Sequence, residues 1–255
     1  MKAIDQLRRD ILREYATSIG LPSDASYISG APLRPVVPLD TGSDVFIIGA
    51  YPSARFGVMN CERNVPVADN LGPFEPERYY DGEQVREQDS AAELRDYYLK
   101  PLGVDREKCW VTDLVKVFLF KKGHREKYER LGTQPSAGYY DREEVFEALG
   151  GKSIPWIVRE LKLAKPKLVI TLGREVAGII TGTQGDVARN RLLSGEVKPI
   201  RIGDVEVDAA HLPHPGIVMR GAEDSEEATN PWPERNKQFV AQLAAWLRRR
   251  LARQM

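Results

Sequence analysis

The sequence predicts an α/β protein, a three-layer α/β/α sandwich around a central, mainly parallel four-stranded sheet. Three observations lead there. Lys167–Gly173 is a near-continuous apolar run, as expected of a strand covered on both faces. It passes directly into a helical segment at Arg174–Thr181. Strand-like and helix-like segments alternate along the chain, the pattern of parallel strands joined by helical crossovers. At 255 residues one core is feasible, and no repeat or internal boundary divides the chain, so 1–255 reads as a single domain.

Taken in order, residues 2–18 set Ile4, Leu7, Ile11, Leu12 and Tyr15 on one helical stripe. Residues 20–43, rich in Pro, Gly and Ser, read as a long surface connection. The first strand is Asp44–Gly49. Residues 51–90 have little periodicity and many turn formers, and so long an irregular stretch in a compact domain is usually functional. A helix over 90–100 starts from Ser90, with Glu93 three positions on as in a capping box. The second strand is Lys108–Val117, followed by a charged, aromatic insertion over 118–141. Asp141 caps a helix through Leu149, and 153–164 form another that stops before Lys165-Pro166. Residues 182–198 form a loop with a helical turn. Gly203-Asp204 then turns a hairpin between Pro199–Ile202 and Val205–Ala210. The segment 221–233 is acidic and turn-rich, and Pro233–Arg253 is a long terminal helix.

Composition narrows the function classes. An apolar fraction of 42% and a charged fraction of 29% are ordinary for a globular protein. No apolar run approaches a membrane span, and the charged, helical N-terminus lacks the apolar stretch of a signal peptide, so a cytoplasmic monomer is expected. Cys61 and Cys109 are too few for the usual iron–sulfur cluster or a four-cysteine zinc site, and both are expected as free thiols. No cofactor is expected. A formal charge of zero lends no support to a nucleic-acid partner, although a local basic patch is sufficient for one. Lys116, Lys121, Lys122, Arg125 and Lys127 form one cluster; Arg248, Arg249, Arg250 and Arg253 form another, which also suits the last turns of a helix.

Four segments carry candidate chemistry. Gly49-Ala50-Tyr51-Pro52-Ser53 follows the first strand: the glycine permits a sharp turn, the proline fixes the next one, and Tyr51 with the amides after it would face a cleft. Ser53 lacks the Gly-x-Ser-x-Gly setting of an activated nucleophile. In Thr112-Asp113-Leu114-Val115-Lys116 a polar pair interrupts an apolar strand, and a buried carboxylate needs a partner or a task. His211-Leu212-Pro213-His214-Pro215 holds His214 in a stiff, extended frame before proline. His211 and His214 with His124 would also serve zinc, the less favoured reading. In Asp69-Asn70-Leu71-Gly72-Pro73-Phe74-Glu75 an aromatic in an irregular loop offers a stacking platform, or else plugs the loop into the core.

In order and strand context, over roughly 44–220, these segments resemble the uracil-DNA glycosylase superfamily. Gly49-Ala50-Tyr51-Pro52 is similar to the family's Gly-x-x-Pro motif lining the base pocket. Phe74 looks like its stacking aromatic, and Thr112–Lys116 matches a Thr-Asn-x-Val-Lys stretch apart from Asp for Asn. His214-Pro215-Gly216 resembles the minor-groove loop whose His stabilises the leaving base anion. The resemblance implies removal of uracil or a related deaminated base from DNA. His214 would hold the base's negative charge, Asp69 or Glu75 would orient water, and Phe74, Asp113 and residues 49–52 would hold the base. Ser53, Arg55, Lys116, Pro215, Gly216 and Arg220 would meet the DNA.

Three departures stand out. Ala50 and Tyr51 occupy the places where the family usually holds a polar catalytic residue. Asp113, if ionised, only accepts hydrogen bonds, whereas Asn offers a donor as well. The cysteines of the iron–sulfur members are missing. The alternatives are a non-catalytic nucleic-acid- or nucleotide-binding member of the same fold, or a small-molecule hydrolase on a similar sheet.

Overall fold

The computed structural model describes residues 2–27, 33–68, 70–133, 141–219 and 231–252. Along the chain come α1 (Ala3–Ser18), β1 (Val45–Gly49), and two small hairpins, β2 (Phe56–Met59) with β3 (Glu62–Pro66) and β4 (Arg78–Tyr80) with β5 (Val85–Glu87). Next, α2 (Asp89–Leu94) runs through a π turn into α3 (Lys100–Leu102), and β6 (Cys109–Asp113), α4 (Lys122–Arg130) and α5 (Arg142–Ala164) follow. The remainder is β7 (Leu168–Leu172), α6 (Arg174–Thr181), α7 (Asp186–Leu192), β8 (Lys198–Ile202), β9 (Val205–Leu212), α8 (Pro215–Met219) and α9 (Trp232–Ala252).

The central sheet has the order β6-β1-β7-β9-β8. The four expected parallel strands are β6, β1, β7 and β9; the first arm of the hairpin adds β8 as a fifth, antiparallel strand at the edge. Alternate residues along β1 serve opposite layers. Phe46 and Ile48 join the core with α1, α5 and α6, and Val45 and Ile47 join the core with α2, α3 and α9. With both faces covered, β1, β6 and β7 are buried at every residue, which is why they read as apolar runs. The chain leaves β1 to one side for β6 and then crosses to the other side for β7. The order of strands therefore reverses at β1, and a crevice forms past the carboxyl ends there.

Several elements differ from expectation for identifiable reasons. The helices expected at 141–149 and 153–164 are one, α5, with Pro155 inside it. Gly150 does not break it. A Cβ there would come within 2.8 Å of Ile179 Cδ1, so the glycine lets α6 pack close. Asp141 caps α5 as expected, accepting the Glu143 N–H at 3.0 Å. Ser90 is no cap: α2 begins at Asp89, and Ser90 Oγ lies 3.3 Å from Ser53 Oγ. Residues 51–90, read as irregular, hold the two hairpins, and 182–198 hold the full helix α7. The connection before β1 is not superficial in its described residues: Leu21, Tyr27, Leu33 and Val36 are buried, and the Tyr27 hydroxyl accepts the Phe118 N–H at 3.2 Å. Leu12, placed on the apolar stripe of α1, is exposed.

β6 ends at Asp113 rather than continuing to Val117, because the chain folds back over β1. The Leu114 and Val115 amides donate to the Gly49 and Ala50 carbonyls, both at 2.9 Å. A fully buried ion pair fixes this turn. Lys116 Nζ lies 2.5 Å from Glu160 Oε1 of α5, and it also donates to Thr112 Oγ1 at 2.7 Å and the Asp113 carbonyl at 3.1 Å. The three donors of an ammonium thus have three acceptors. The other Glu160 oxygen accepts Trp110 Nε1–H at 2.7 Å, and Trp110 stacks on Phe46. Tyr15 of α1 completes the anchor. Its hydroxyl accepts the Lys116 N–H at 2.8 Å and donates to Ser153, which in turn donates to the Leu149 carbonyl.

Removing one member of a buried pair leaves an uncompensated charge, which costs about 3–5 kcal/mol. Lys116→Met is expected to lose about that much stability in urea unfolding, and adding Glu160→Gln should restore a large part of it. A double variant no more stable than the single one would show that packing, not charge balance, sets the cost.

Candidate functional site

The four parallel strands end at one level. Gly49 is in register with Asp113, Ile48 with Thr171, and Leu172 with Leu212. The candidate segments after β1, β6 and β9 therefore leave the sheet on the same edge, from strands spaced about 4.8 Å apart.

At the β1–β6 end, Gly49, Asp113 and Phe74 converge. A Cβ at Gly49 would overlap Asp113 Oδ1 and come within 2.5 Å of Phe74 Cε2, so only glycine lets ring and carboxyl meet over the strand end. Asp113 is buried, and its Oδ1 has no hydrogen-bond partner among the described residues. Burial pushes its carboxyl up to about 7, against the pull of the Lys116 charge. Phe74 itself sits at φ 52°, a left-handed conformation uncommon for a bulky residue, which persists only where the surroundings impose it. The imposing group is Arg106, just before β6, which donates to the Phe74 carbonyl at 2.6 Å and the Pro73 carbonyl at 3.2 Å. The same guanidinium pairs with Asp40 at 2.7 Å and Glu75 at 3.3 Å. From the other side, Glu77 accepts the Leu71 N–H at 2.7 Å and pairs with Arg55 at 3.2 Å.

At the β9 end, the Pro213 carbonyl accepts a 2.6 Å hydrogen bond from buried Tyr98. His214 follows, half-buried, at the start of α8. Its Nδ1 accepts the Gly216 N–H at 3.1 Å, so the hydrogen of the neutral ring sits on Nε2. Between these ends, Gly173 leaves β7 at φ 104°. A Cβ there would lie 3.6 Å from His214 Cβ and 3.8 Å from Glu175 Oε2, so Glu175, in the first turn of α6, and His214 border the same glycine. Tyr51, after β1, is turned toward α5. Its hydroxyl accepts from Arg142 Nη1 at 2.8 Å, and its ring meets Phe146 edge-on. Burial raises the pKa of the Tyr51 hydroxyl, the Arg142 bond works against that, and the charges of Asp113 and Glu175 add to the rise. Tyr51 therefore stands in the field of both carboxylates.

The segments singled out in the sequence do meet at one edge, with corrections. Lys116 cannot touch DNA, because it is buried against Glu160. Arg55 is engaged by Glu77 and steadies the Phe74 loop. Glu75 is held by Arg106, with burial raising its pKa, and no contact joins it to His214 among the described residues. Asp69 and Arg220 lie outside the described residues. Ser53, half-buried, accepts from Gln88 Nε2, while Pro52 and Pro215 are buried. Among the described residues no group of three or more His, Cys, Asp or Glu side chains is placed to hold a metal ion. His211 is buried with Nδ1 2.7 Å from Thr171 Oγ1, and burial brings its pKa down to about 4. His124 stacks on Phe118 in α4, away from both. Both cysteines are free thiols, Cys61 exposed and Cys109 buried. Sequence reasoning missed Arg106, Arg142 and Glu175, which lie in no recognisable motif; the only signal was the step from Gly173 straight into a helix.

The family model for the uracil DNA glycosylase superfamily matches residues 38–248, and the chain belongs to that superfamily. Among curated proteins no significant match is found. No helix among the described residues is long and apolar enough to cross a membrane.

The carboxyl of Asp113 gives a pH test. Its pKa rises from 3.8 to about 7 on folding, so its contribution is fully present below pH 4 and is lost as pH climbs through 7. Asp113→Asn should gain on the wild type by a few kcal/mol between pH 4.5 and pH 8 in denaturant titrations. Parallel curves for the two proteins would mean that the carboxyl is ionised throughout.

Proposed function

We propose that the protein is a DNA glycosylase that removes uracil or a related deaminated base by hydrolysis of the N-glycosidic bond. The observation that carries this is the convergence of Phe74 and Asp113 over Gly49, with the Nε2–H tautomer of His214 on the same sheet edge. An extruded base stacks on Phe74 and shows its edge to Asp113. As a neutral acid, Asp113 offers a donor and an acceptor, the pair that an Asn offers, and so reads the O4 and N3–H of uracil without repulsion. Its raised pKa supports that state. Residues 49–52 line the pocket. His214 Nε2–H donates to the base carbonyl as negative charge develops there, acting as an oxyanion stabiliser. Ser53 and Gly216 border the DNA backbone.

A second reading, a non-catalytic binder of nucleic acid or nucleotides, draws on Tyr51. The residue standing where a catalytic polar group is usual is committed to Arg142.

The decisive assay is cleavage of labelled single- and double-stranded oligonucleotides containing uracil, hypoxanthine or xanthine, developed with alkali. Cleavage of at least one base is expected, and His214→Ala should lower the single-turnover rate by about 100- to 1,000-fold with DNA affinity retained. Folded wild-type protein that cleaves none of them favours the binding reading.

A further inference from the structure

Of the two carboxylates that the sequence offered for handling water, Glu75 is held by Arg106 and Asp69 lies outside the described residues. A third carboxylate stands beside His214. Glu175 follows β7, and Tyr51 follows β1, so the two flank the crevice where the strand order reverses. Glu175 Oε1 is taken by Arg174 at 2.9 Å, while Oε2 faces the Gly173 position that His214 also borders. Its ion pair with Arg174 is half-exposed and therefore weak. A second, independent feature at this end of the sheet points to a ligand: Asp113 Oδ1, beside Gly49, is buried and has no hydrogen-bond partner among the described residues. Tyr51, just past β1, is held by Arg142 of α5.

Resting on the glycosylase reading, we infer that Glu175 supplies the carboxylate that the first motif lacks, facing the sugar and activating the water. The C1′–N bond breaks and its electron pair stays on the base, which His214 Nε2–H stabilises. The Glu175 carboxylate faces the positive charge left on the sugar. The water oxygen then bonds to C1′, and its proton passes to Glu175.

The test uses the full chain and two duplexes, one with a cationic pyrrolidine in place of the sugar at a single position and one with a neutral tetrahydrofuran there. Wild type should bind the cationic duplex at least about tenfold more tightly, since a buried or partly buried opposite charge is worth that much or more. Glu175→Gln, an isosteric change on a half-exposed side chain, should abolish the preference and leave tetrahydrofuran binding unchanged. It should also lower single-turnover base excision by about 100-fold or more, with Glu175→Asp recovering part of both. Excision and cation preference both surviving in Glu175→Gln would overturn the inference alone. A wild type that prefers the cation but excises no base would sink the glycosylase reading and this step with it.

Discussion

The site depends on one buried ion pair. Lys116 is wholly enclosed, and an ammonium in such a place is tolerable only with its donors satisfied. Glu160, Thr112 and the Asp113 carbonyl satisfy them, and in doing so they bend the chain sharply at the end of β6. That bend turns the Leu114 and Val115 amides onto the carbonyls that end β1, and it leaves the Asp113 side chain over Gly49. Because Glu160 lies on α5, the pair also fixes the helix whose first residue, Arg142, holds Tyr51. A charge in the core is thus what ties the strand end, the covering helix and the pocket wall into one arrangement.

The same logic of over-determination holds the Phe74 loop. A phenylalanine in a left-handed conformation is strained, and a loop alone would relax it. Arg106 captures two successive carbonyls and two carboxylates with one planar group, a task for which guanidinium geometry is suited and an ammonium is not. The ring is thereby held against the strand end, buried in the core with Val45 and Ile47, so Phe74 plugs its loop into the fold. His214 is treated in the same way. Proline on either side limits its backbone, Tyr98 braces the preceding carbonyl, and Gly216 fixes the tautomer. Both groups stand on rigid supports, which the proposed discrimination between similar bases would require.

The parts legible in the sequence were those that local rules govern. Strands buried on both faces announce themselves as apolar runs, and the glycine and proline turns after β1 and β9 mark where the chain leaves the sheet. Asp141 as a cap follows from chemistry three residues long. What failed to show was whatever depends on long-range pairing. Lys116 reads as a surface cation until Glu160, 44 residues on, is known to face it (160 − 116). Gly150-Gly151 reads as a break until the close approach of α6 explains the gap in side chains. The β2–β5 hairpins have too few buried positions to impose a period, so their strands vanish into an irregular stretch. Arg106 and Glu175 matter through partners that no spacing rule connects.

The departure at Ala50 and Tyr51 also looks different once the register is known. A catalytic group is defined by where it stands relative to the reacting atoms, not by the strand it follows. Because β1 and β7 are adjacent and end at one level, a residue just past β7 is displaced from one just past β1 by a single strand spacing of about 4.8 Å. A glutamate reaches further than an aspartate, and Gly173, with no side chain, leaves the space between Glu175 and His214 open to that reach. Tyr51 cannot then be a simple vacancy in a motif. Its ring is packed on Phe146 and its hydroxyl tied to Arg142, so it joins the end of β1 to α5. Two substitutions that look like losses in the linear sequence, a missing polar residue and an Asn turned to Asp, are in the fold parts of one rearranged electrostatic environment. In it the carboxyl at the β6 end is pushed toward neutrality by burial, and the carboxylate at the β7 end keeps access to solvent.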